Sequence, residues 1–97
     1  MAKGKDLDAF RQTYDRIAVI EQRIKRALAE LGDSWEYEAD FMKRAGIASV
    51  DWANRRSDYT AYVVLVKGNH GRGANGNTRR VIAGTAKFAE KLRAAIQ

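Results

Sequence analysis

Apolar residues recur at helical spacing through the first third of the chain. Phe10, Tyr14, Ile17, Ile24, Leu28 and Leu31 follow a three-four pattern, with Leu7 leading in. Glu21 stands where the pattern wants an apolar residue, with Ile20 beside it. No glycine or proline interrupts 6–31, so the spacing predicts one helix of about 25 residues, roughly 37 Å long. Such a helix is long for a small domain. Its apolar stripe either packs on the rest of the chain or pairs with a second copy as a short coiled coil, which would make a homodimer.

Gly32 supplies a C-terminal cap for this helix. Asp33 and Glu36 have the spacing of a capping box for a second helix, with Trp35, Ala39, Met42 and Tyr37, Phe41, Ala45 on its apolar faces. Gly46 closes it. Ser49 is a good N-cap for a third helix from Val50 to about Ser57, and Asp51 suits the positive end of that helix. Trp35, Met42 and Trp52 are expected in the core.

From Tyr59 to Lys67 the residues become aromatic and β-branched, which reads as a strand. A glycine- and asparagine-rich loop follows over 68–77. Thr78 to Ala83 reads as the return strand of a hairpin, and 85–96 as a final helix with Phe88, Leu92 and Ile96 on one face. The expected order is α-α-α-β-β-α in a single domain: mostly α with a β-hairpin, an α+β fold.

Composition narrows the function classes. The 97 residues suffice for one domain with a modest core. There is no cysteine, so neither a disulfide nor a zinc-thiolate site staples the fold. The longest strongly apolar run, Ala61 to Val66, is too short to span a bilayer. The polar start of the chain suggests no secretory signal, and a cytoplasmic location is expected. The net charge of +6 is unevenly placed. Residues 1–42 carry a net −2 and residues 43–97 a net +8. A basic half of this kind is an electrostatic footprint of nucleic-acid binding.

Two constellations fit that footprint. Over 38–56 a helix ends at Ala45-Gly46, an apolar Ile47 follows, and Ser49 opens the next helix, a pattern that resembles a helix-turn-helix. Arg55 and Met42 depart from the usual residue types of that motif. The resemblance implies that the second helix, with Ser49, Asn54, Arg55 and Arg56, enters a major groove and reads bases. Arginine pairs with guanine O6/N7 and asparagine with adenine N6/N7. The second constellation is the basic hairpin, with Lys67, His70, Arg72, Arg79 and Arg80 on or beside the glycine-rich loop. A helix-turn-helix followed by such a hairpin is similar to a winged helix-turn-helix domain. That resemblance implies a wing that contacts backbone or minor groove, as Gly71-Arg72-Gly73 would also allow by its slimness.

Other chemistry finds little material. Gly71 to Gly76 matches G-x-G-x-x-G, but a strand rather than a helix is expected after it, so a dinucleotide site is rejected. His70 is the single histidine, and Glu36, Glu38 and Asp40 on one helix could not all face one ion. An enzyme is not expected, nor a cofactor, metal or small-molecule substrate. The leading expectation is a DNA-binding protein of phage or bacterial type, a small transcriptional regulator or accessory protein acting on double-stranded DNA at the nucleoid or in an infected cell. Three alternatives stay open. One is an RNA binder that stacks bases on Tyr59 and Tyr62. The others are an inhibitor that docks its basic face on an acidic protein, and a virion assembly component.

Overall fold

The first helix runs further than the spacing alone suggests. In the computed structural model, which describes residues 2–67 and 78–96, α1 spans Ala2–Leu31. Its 30 residues make a rod of about 45 Å, and the molecule measures 59 × 31 × 19 Å. Among its described side chains Ile20, Ile24, Ala27 and Leu28 are buried, whereas Tyr14 and Ile17 are exposed. The helix ends at Gly32, whose φ of 56° and N–H bond to the Leu28 carbonyl at 3.2 Å make the expected cap.

The expected second helix is corrected. The capping box of Asp33 and Glu36 does not form; Trp35–Tyr37 is a strand, β1, and α2 covers only Glu38–Ala45. Trp35, Glu36 and Tyr37 alternate with period two, and β1 takes one edge of a strand that would otherwise stay open. Gly46 closes α2 at φ 75°, with the Ile47 N–H reaching back to the Met42 carbonyl at 3.1 Å. Helix α3 is Ser49–Arg55; Ala48, not Ser49, is its N-cap, and no side chain caps it.

The strand expected from Tyr59 starts later. Arg56–Tyr62 is a 3₁₀ segment, and β2 is Val63–Val66. Burial decides this: Tyr59 turns into the core against Trp52, with ring centroids 6.1 Å apart, and extended backbone would carry it away. β3 is Arg79–Ala83 and α4 is Ala86–Ile96, close to expectation. The hairpin is therefore part of a three-stranded antiparallel sheet in the order β1-β3-β2. The element order is α-β-α-α-β-β-α, and the fold is mostly helical with a small sheet, an α+β fold.

The sheet has a helical layer on each face. One cluster joins Ile20, Ile24, Leu28, Phe41, Trp52, Tyr59 and Ile82. On the other face Val64, Val81 and Ala83 pack with Ala89, Phe88 and Leu92 of α4. Gly84 marks where the layers meet: its N–H donates to the Ser34 carbonyl at 3.0 Å, and a Cβ there would lie 2.1 Å from the Gly32 oxygen. Two core expectations are corrected. Trp35 is 42% exposed, because it sits on the edge strand, and Met42 is only partly buried. Among the described residues no helix is long and apolar enough to cross a membrane.

Candidate nucleic-acid interface

The α2–α3 corner presents a small, nearly neutral face. Ser49, Val50, Ala53 and Asn54 are all exposed along α3, while Trp52 points inward. Asp51, at the start of α3, receives both bonds of the Arg16 guanidinium at 2.9 Å. Arg23 donates to the Gly46 carbonyl at 2.8 Å. The corner is thus pinned to α1 on its inner side, and Ser49 and Asn54 are each exposed on α3.

Arg55 and Arg56 are placed differently from these two. Arg56 Nη1 lies 3.1 Å from Glu38 Oε2, the oxygen that also accepts the Trp52 indole N–H at 2.6 Å. Arg80 approaches the other oxygen of Glu38 at 3.7 Å. Arg55 stands 3.7 Å from Glu21 and 3.9 Å from Asp58. Both guanidinium groups of the corner are therefore directed at carboxylates of the protein. Glu21, the acid that interrupts the apolar stripe, also accepts the Tyr59 hydroxyl. Burial, and next the Glu21 bond, push the Tyr59 hydroxyl well above the ordinary tyrosine range.

On the hairpin, Val66 faces Arg79 and Leu65 faces Arg80 in the register, so Lys67 and Arg79 occupy its outer end. Lys67, Arg79 and Arg80 are exposed. Arg79 lies over Tyr37, its guanidinium carbon 4.7 Å from the ring centroid. His70, Arg72 and the glycine pattern Gly71 to Gly76 lie outside the described residues.

The chain matches no family model, no curated protein and no solved structure. Function must be read from the side chains.

Tyr59 and Tyr62 do not offer a stacking surface, since Tyr59 is 7% exposed and Tyr62 packs against the same core. The exposed aromatic pair is Trp35 and Tyr37, which sequence reasoning placed in a helix. Three residues show too little period for the sequence to have signalled this strand. Arg44 donates to Glu36, Glu30 and the Ala27 carbonyl at 2.6–2.8 Å. The Glu36 bond foremost holds its guanidinium charged still more firmly than usual. The exposed polar side chains of α3 are Ser49 and Asn54, and the exposed cations of the described hairpin strands and their ends are Lys67, Arg79 and Arg80.

Proposed function

We propose that the protein binds double-stranded DNA in the manner of a winged helix-turn-helix, with α3 at the groove and the β2–β3 hairpin as the wing. A role as a small transcriptional regulator or accessory DNA-binding protein of phage or bacterial type fits this reading. The observation that carries it is the order of elements: a two-helix corner with an exposed outer face leads through the 3₁₀ segment Arg56–Tyr62 into an antiparallel pair, with Lys67 and Arg79 at the far end of its described residues. Asn54 suits adenine, and Val50 and Ala53 suit the methyl group of thymine. Arg55 and Arg56 have structural work, so they are not assigned to bases. The exposed apolar side chains Ile17 and Val19 of α1 support a homodimer, the state in which helix-turn-helix proteins meet paired half-sites.

Electrophoretic retention of a mixed-sequence duplex at about 50 and 200 mM salt tests the reading. Four phosphate contacts, from Lys67, Arg72, Arg79 and Arg80, predict a loss of about a hundredfold between those salts. The four-alanine variant should lose both the affinity and the slope. Absence of retention at the lower salt would sink the proposal.

A further inference from the structure

The sheet carries an aromatic cluster that the duplex reading does not use. Trp35 and Tyr37 are on the same face of β1, opposite Ala83 and Val81 of β3. Their rings meet edge to face, with centroids 5.3 Å apart. Helix α4 packs over β2 and β3 on this face, so the β1 side keeps 42% of Trp35 and 39% of Tyr37 open to solvent. Arg79, two residues along β3 from Val81 and on the same face, lays its guanidinium on Tyr37.

The exposed Trp35 ring, set at a right angle to a Tyr37 ring that carries the Arg79 guanidinium, offers a flat surface beside a cation to a flat, uncharged partner. Asp40 lines the same cleft as Tyr37, Arg79 and Arg80. Glu38 also lines it, so two carboxylates beside Tyr37 favour the uncharged face of a base there, with the backbone charge going to the exposed Lys67 after β2. We infer that Trp35, Tyr37 and Arg79 form a stacking site for unpaired bases of single-stranded nucleic acid. Every base has a π-face, so the site accepts a strand without regard to sequence. A base in a duplex is stacked on its neighbours and shows only its edges, so this site and the α3 face take different substrates. The inference shares Arg79 with the duplex reading but does not rest on it.

The two tryptophans make the test direct. Trp52 is 1% exposed and Trp35 is 42% exposed, so a stacked base quenches only Trp35. An oligothymidylate of about 12 nucleotides is titrated at about 50 mM salt, followed by tryptophan emission and by anisotropy of an end label. The expected result is quenching in the wild type and none in Trp35→Phe, which keeps a strand-forming aromatic at the position. Trp35→Ala and Tyr37→Ala should each weaken the oligonucleotide about tenfold. Trp35→Ala should leave duplex retention unchanged. Saturable binding with unchanged emission, or no binding, would overturn the inference. Duplex retention without strand binding overturns this site alone, and strand binding without duplex retention overturns the duplex reading alone.

Discussion

The indole N–H of Trp52 donates to Glu38 Oε2 at 2.6 Å, joining the middle of α3 to the first residue of α2. The carboxylate is 17% exposed and Arg56 shares the same oxygen, so it ties the corner together at three points counting Arg80. We expect Glu38→Ala to lose about 2–3 kcal/mol, because a buried donor is left without an acceptor. Glu38→Gln keeps an acceptor for the indole and should lose about half as much. Urea midpoints of the two variants check the difference; equal midpoints would show that the indole bond contributes nothing.

Gly84 and Gly32 should respond unequally to alanine. A Cβ on Gly84 would meet backbone atoms of Gly32 at 2.1 and 2.5 Å and the Leu31 Cβ at 2.8 Å. None of these is the end of a flexible chain, so Gly84→Ala should lose about 3 kcal/mol or more. Gly32 has open space and only a positive φ, so Gly32→Ala should lose about 1 kcal/mol. Thermal denaturation of both variants ranks them, and a reversed order would contradict the close approach.

Tyr59 makes stability fall in alkali. Its folded-state pKa is raised, by burial first and by Glu21 and Asp58 after it. Below the unfolded value of about 10 both states keep the proton, and the contribution is fully present. Above it the unfolded chain ionises first, and stability falls by up to about 1.4 kcal/mol per pH unit until the folded pKa is reached. Tyr59→Phe should remove this component. Urea midpoints of both proteins at pH of about 8 and 10.5 measure it; parallel declines would contradict the burial argument.

The N-terminal half of α1 should be dispensable for the core. Removal of residues 1–13 takes away no buried side chain described in the structure and leaves the Arg16–Asp51 pair in place. We expect a change below about 1 kcal/mol in stability. If the N-terminal stripe joins two copies, the full chain sediments as a dimer and the shortened one as a monomer. A full chain that sediments as a monomer at high micromolar concentration would remove the homodimer from the proposal.

What could be read from the sequence was what local spacing decides. The long helix, its Gly32 cap, the Gly46 turn, β3 and α4 each follow from a pattern within a dozen residues. β1 did not, because three residues are too few to show a period, and its partner lies some 45 positions away at 81–83. The start of β2 was misplaced for a similar reason: Tyr59 has strand-forming chemistry, yet its place beside Trp52 is set by tertiary packing. The candidate site was legible in its charges but not in their use. Arginines 55 and 56 read as surface cations until the fold brings Glu21 and Glu38 within reach. The interrupting acid at Glu21 was the one visible hint that a buried polar partner awaited it.

The central position of β3 also governs how the chain can be divided. β1 and β2 each pair only with β3 and never with one another. A cut between Lys67 and Thr78 would leave one fragment with two unmated strands and the other with their shared partner. Neither piece holds a sheet by itself, so each depends on the other for order. A chain split there would regain structure only by complementation of its two halves.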